Sequence, residues 1–145
     1  MSTESNKALV RRWWEETDKG NLAIIGELCA PDYLDHSPPL PGMGEGPEAV
    51  RKANETLAAA FPDTVHTVEA MIAEDDLVVT RLRGRGTFLG ACLGIPPNGQ
   101  VVEITGISIH RVANGKLVEH WANIDSLSFM QQLGAIPSIG PASCA

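Results

Sequence analysis

VVEITGISIHRVANGKLVEHWANID, residues 101–125, is the stretch that decides how this 145-residue chain folds. Asn114 and Gly115 stand between two runs rich in Val and Ile, and both tolerate the positive φ of a type I′ turn, whose twist matches that of the strands it joins. The stretch therefore reads as an antiparallel hairpin. A two-residue turn sets the register: if Ala113 pairs with Lys116, His110 faces Glu119, Ser108 faces Trp121, Gly106 faces Asn123 and Ile104 faces Asp125, all on one face. The opposite face carries Ile107, Ile109, Val118, Ala122 and Ile124, interrupted by Arg111 and His120, and reads as a packing surface. The polar and aromatic face is either a pocket wall or an ordinary solvated face.

Working back from the hairpin, residues 65–73 and 77–87 alternate apolar and polar around a turn at Glu74-Asp75-Asp76, which gives two more strands. Pro96-Pro97 and Asn98-Gly99 make the intervening FLGACLGIPPNGQ a loop, and Phe61-Pro62-Asp63 is a break. Upstream of it the period becomes helical. Leu9, Val10, Trp13, Trp14 and Thr17 predict a helix over 7–19, capped by Ser5 or Asn6 and ended by Gly20. Asn21 caps a short helix over 22–29, stopped before Pro31. A third helix starts at Pro47-Glu48 and runs to about Ala60. Between the last two lie a short extended piece, DYLDHSP, and the loop SPPLPGMGEGP, which is either a lid or a connector. After the hairpin, Ser126 caps a last helix through Leu133, and the tail from Pro137 is loose. Three helices followed by four antiparallel strands form an α+β fold with the helices on one side of a curved sheet. No internal repeat is present, so residues 1–136 read as one domain with a tail over 137–145.

Composition narrows the partners. A net charge of −7 argues against nucleic acid, whose phosphates call for a basic surface. No apolar run nears the roughly 20 residues that span a bilayer, and MSTESNKALVRRWW lacks the apolar core of a secretory signal, which predicts a cytoplasmic protein without a membrane partner. Cys29, Cys92 and Cys144 are widely spaced and form no CxxC, so neither a disulfide framework nor a zinc site is expected. Arg81, Arg83 and Arg85 share one strand face, which either meets an anion or is ion-paired and exposed.

Several strings add to this reading. AFPD at 60–63, GIPPNG at 94–99, GKLVEHW at 115–121, then Asp125 and QQLG at 131–134 stand in an order that resembles the SnoaL-like polyketide cyclase family, over most of the chain up to Gly134. The resemblance implies a cone-shaped fold like that of nuclear transport factor 2 and ketosteroid isomerase, with a pocket for a hydrophobic, aromatic polyketide-like molecule. It also implies ring closure by intramolecular aldol condensation without metal or cofactor. That chemistry needs a base beside an acidic carbon and an acid beside a carbonyl oxygen, in a dry pocket. Aligned without gaps, however, the cyclases' acid–base Asp falls on Ala122, their pocket His on Ser108, and their pocket Tyr and Asn on Thr17 and Ala53.

The candidates for chemistry are therefore those the hairpin and its flanks supply. His110 opposite Glu119 is an acid–base pair in which the carboxylate raises the imidazole's pKa, or a strand-end ion pair. Asp125 is the carboxylate nearest the cyclases' base position, or an N-cap. His36, beside the Pro-rich loop, is a base, a donor to a carbonyl, or a tie for that loop. Trp14, Arg81, Ser108, Trp121 and Asn123 are candidate substrate contacts, with Trp121 stacking on a planar ligand. Ser108 lacks a nucleophile elbow, and His110 and His120, on opposite faces in this register, make no metal site. The apolar sheet face predicts a homodimer or higher homo-oligomer. Two rival readings stay open: a hydroxylase component of aromatic polyketide tailoring, and a non-catalytic binding or dimerisation module.

Overall fold

A computed structural model describes residues 2–138 of the chain. Helix α1 spans Thr3–Asp18, starting earlier than its apolar period predicts because Ser2, rather than Ser5 or Asn6, is the cap: its hydroxyl accepts the Ser5 N–H at 3.1 Å. Asn6, freed from capping, is buried. Helix α2 spans Ala23–Leu28 without a side-chain cap; Asn21 instead donates to Glu16 at 2.7 Å. Strand β1, Cys29–Asp35, follows directly. Sequence pattern showed only a short extended piece here, and Pro31 is tolerated within it because β1 is an edge strand. Helix α3, Gly46–Ala60, carries its proline in the first turn. Strands β2 (Val65–Glu74), β3 (Leu77–Thr87), β4 (Val101–Ala113) and β5 (Lys116–Ile124) and helix α4 (Ser126–Leu133) complete the order. The expected loose tail lies, from residue 139, outside the described residues, as does Cys144.

The five strands form one curved sheet in the order β1-β5-β4-β3-β2, with β1 parallel to β5 and every other pair antiparallel. Asn114 and Gly115 both have positive φ, as the hairpin turn requires. The register past the turn departs from expectation. Ala113 pairs with Lys116 and Val112 with Leu117, but Arg111 pairs with Glu119, so Val118 is an extra residue, a β-bulge. Every later pair is shifted by one: His110 faces His120, Ser108 faces Ala122 and Gly106 faces Ile124. Because side chains alternate, that single residue carries His120 to the helix-covered face and sends Glu119, Trp121 and Asn123 to the outer one.

The inner face packs against the helices in two clusters. One gathers Val10, Trp13, Ile24, Ile25, Leu28, Tyr33, Val78 and Leu117. The other, toward α4, gathers Phe61, Phe88, Cys92, Val102 and Leu133, with the two phenylalanine rings stacked at 5.2 Å. Cys29 and Cys92 are buried free thiols, and burial pushes Cys29 up to about 12. Arg81 and Arg83 lie on the outer face near Glu69, and Arg83 also pairs with Glu103. Among the described residues no helix is long and apolar enough to cross a membrane.

Candidate functional site

The bulge decides which side chains meet on the inner face. Ser108 and His110 point inward from β4, and His120 joins them from β5. Parallel pairing of β1 with β5 brings Asp35 opposite His120. A continuous hydrogen-bonded line results: Ser108 Oγ lies 2.8 Å from His120 Nε2, and His120 Nδ1 lies 2.9 Å from Asp35 Oδ1. With Nδ1–H donating to the carboxylate, Nε2 carries the lone pair that accepts the Ser108 hydroxyl. Asp35 is fixed in turn by the Ser37 N–H at 2.8 Å, and the Ser37 hydroxyl accepts the Ala122 N–H at 3.0 Å. The chemistry open to such a line is proton transfer at Nε2 or activation of the serine oxygen.

His110 sits behind this line, its ring stacked on His120 at 4.6 Å and met edge-on by Trp14 at 6.1 Å. Only 1% of it is exposed. Burial, reinforced by the neighbouring His120, holds its pKa well below the usual imidazole range, the reverse of the rise expected from Glu119, and the ring is neutral at pH 7. Trp14 also meets His66, 5.1 Å between ring centres, and His66 is held by Asp18: Nδ1 lies 2.6 Å from Oδ1, and the His66 backbone N–H donates to Oδ2.

A cavity of about 200 Å³ lies between the end of β1, the loop 36–45 and α3, and Asp35 forms part of its wall along with Ala53 and Val50. Buried Leu40 seats the loop over it. A second, more open hollow of about 470 Å³ lies on the outer face between Asp63, Arg83, Arg85 and Val101.

Of the residues singled out in the sequence, His110, Ser108 and Trp14 come together here. The others lie elsewhere. His36 Nε2 is 3.1 Å from Glu119 on the outer face, its ring stacked on Trp121 at 4.8 Å and 8°. Arg111 reaches over the same indole while pairing with Asp76. Arg81 and Asn123 are exposed on that face, and Asp125 caps α4 by accepting the Ser128 N–H. His110 and His120 share a face after all, yet among the described residues no group of three or more His, Cys, Asp or Glu is placed to hold a metal ion. Sequence reasoning set His120 aside, gave Asp35 no role and missed the Asp18–His66 pair. His66 and Asp18 belong to different elements, and no local pattern joins them.

Comparison with known proteins agrees with this architecture. The chain is 31% identical over 140 residues to the aklanonic acid methyl ester cyclase DnrD of Streptomyces peucetius, covering 92% of each. It is 30% identical over 132 residues to the cyclase of the same description, DauD, from Streptomyces strain C5, covering 87% of this chain and 80% of that one. Among solved structures it superposes with a TM-score of 0.84 and 29% identity on AclR, a hydroxylase candidate from Streptomyces galilaeus, over 96% of this chain and 87% of the other. The profile described as SnoaL-like polyketide cyclase matches residues 8–133. The chain belongs to the SnoaL-like polyketide cyclase family.

Proposed function

We propose that this protein closes a ring in an aromatic polyketide-like ester by intramolecular aldol condensation, with His120 as the proton-transferring group. The observation that carries the reading is the Ser108–His120–Asp35 line on the inner face. The positions that resemble the cyclases' His and Asp, Ser108 and Ala122, face each other across β4 and β5. In this reading their work passes to His120, the next inward residue on β5, acting through Ser108 itself. His120, with the Ser108 hydroxyl carrying the proton between substrate and Nε2, takes a proton from the carbon beside the ester. The resulting enolate carbon bonds to the ketone or aldehyde carbon, and the new alkoxide takes the proton back. Substrate and product are isomers, so no oxidant or reductant enters. Asp35 holds the ring and stabilises its charged form, and half-buried Trp14 offers flat apolar contact to fused rings.

The test is direct. Purified protein given an aromatic polyketide methyl ester bearing a free ketone side chain is expected to yield a product of unchanged mass, with H120Q slower by about 10²–10⁴-fold. A product heavier by one oxygen atom, formed only in air, supports instead the hydroxylase reading that the AclR likeness favours. No product together with tight binding of the ester supports a binding module. We also propose that the outer face pairs two copies, since Ile72, Val79, Ile109 and Trp121 form one apolar row straight across it.

A further inference from the structure

The inner face holds more polar groups than proton transfer uses. Thr80 Oγ1, Trp14 Nε1 and His110 Nδ1 are buried without a hydrogen-bond partner, and an unmet buried donor is costly to leave so. They are neighbours. Thr80 faces Ser108 directly across the β3–β4 ladder, His110 is the next inward residue on β4 and stacks on His120, and Trp14 meets His110 edge-on. Thr80 and Trp14 each present a hydrogen, and neutral His110 presents one when its proton is on Nδ1. Such a group of uncharged donors beside a serine, itself bonded to an imidazole that a carboxylate holds, has the parts of an acyl-transfer site.

We infer that Ser108 is a nucleophile and that this site also hydrolyses carboxylic esters carrying a flat, apolar acyl group. Ser108 Oγ bonds to the ester carbonyl carbon while its proton passes to His120 Nε2. The bond to the alkoxy group then breaks, and that group leaves with the proton from His120. Water attacks the acyl-serine by the same route, releasing the carboxylic acid and restoring Ser108. Thr80, Trp14 and His110 donate to the oxygen that becomes negative in each step. Ser108 is 2% exposed and the cavity at Asp35 stops short of it, so ester hydrolysis here requires the loop 36–45 to lift, with Leu40, and open a path past Asp35 to the serine. The inference rests on the site of the proposed function but not on ring closure.

The two therefore fail separately. The full chain is treated with p-nitrophenyl benzoate and with an aryl fluorophosphonate, and intact mass and peptide mapping follow the label. One adduct, on Ser108, is expected, with release of p-nitrophenolate. In S108A and H120Q both labelling and hydrolysis should fall at least about 100-fold. T80V, nearly the same shape as threonine, should slow labelling by about 10²-fold without lowering the thermal melt, and T80S should restore it. No adduct, an adduct on another residue, or S108A hydrolysing at the wild-type rate overturns the inference. Ring closure by wild type without any adduct rejects the nucleophile and spares the cyclase reading. An adduct without ring closure does the opposite.

Discussion

Asp35-His36 at the end of β1 and Glu119-His120 on β5 are the same chemical step, carboxylate beside imidazole, and the two steps pair crosswise. Asp35 meets His120 on the inner face, and His36 meets Glu119 on the outer one. The inner pair is 13% and 16% exposed in its side chains, the outer pair 37% and 33%. Their geometry is nearly equal, with contacts of 2.9 and 3.1 Å. What differs is water and neighbours. The inner imidazole is bonded at both nitrogens and backed by a neutral ring, so its position is fixed. The outer one lies flat on Trp121 in a solvated network with Arg111 and Asp76, where screening leaves an ion pair worth little. A histidine–carboxylate contact is thus not a site by itself; its face of the sheet decides.

The largest contrast should appear in turnover. H120Q is expected to lower ring closure by about 10²–10⁴-fold, whereas H36Q should stay within about twofold; equal losses from both would break the comparison. Stability comes next. D35A removes the acceptor of two hydrogen bonds on the inner side and should cost about 1–3 kcal/mol in urea unfolding, against about 0.5 kcal/mol or less for E119A. A smaller effect depends on pH. His110 has its pKa lowered by burial and by His120. The unfolded chain therefore takes up a proton that the native one resists, and the stability this contributes is complete above about pH 6.5 and lost as pH falls toward the native value. The slope on the acid side should reach about 1.4 kcal/mol per pH unit, and H110F should flatten it. Smallest of all, W121A should cost about 0.5–1 kcal/mol through loss of the His36 stack.

How much of this was legible depends on how local the signal was. Alternation placed β2 to β5 closely, Asn114-Gly115 placed the turn, Pro47 marked the start of α3, and the quoted strings pointed to the family. Ser108 and His110 were recognised as sharing one strand face. Their partners were not, because Val118 is an ordinary strand residue and nothing in its neighbourhood marks a bulge. One uncounted residue exchanged Trp121 and Glu119 for His120 and Ala122. The partnership of β1 was hidden for another reason. A parallel neighbour more than eighty positions away leaves no trace in a seven-residue segment that contains a proline. Asp35 was visible as a residue, but its role follows only from that pairing.

β1 sits at the rim of the sheet, with a strand on one side only, and it brings the carboxylate that steadies His120. On the proposed mechanism, then, the proton relay hangs on a rim strand, one that its buried Cys29, Ala30 and Tyr33 must hold in place. Rim strands fray before central ones. As β1 peels from β5, Asp35 departs, and His120 loses its orientation while β2 to β5 remain paired. The chain is then folded but idle, and on warming its activity should vanish some degrees before its sheet melts.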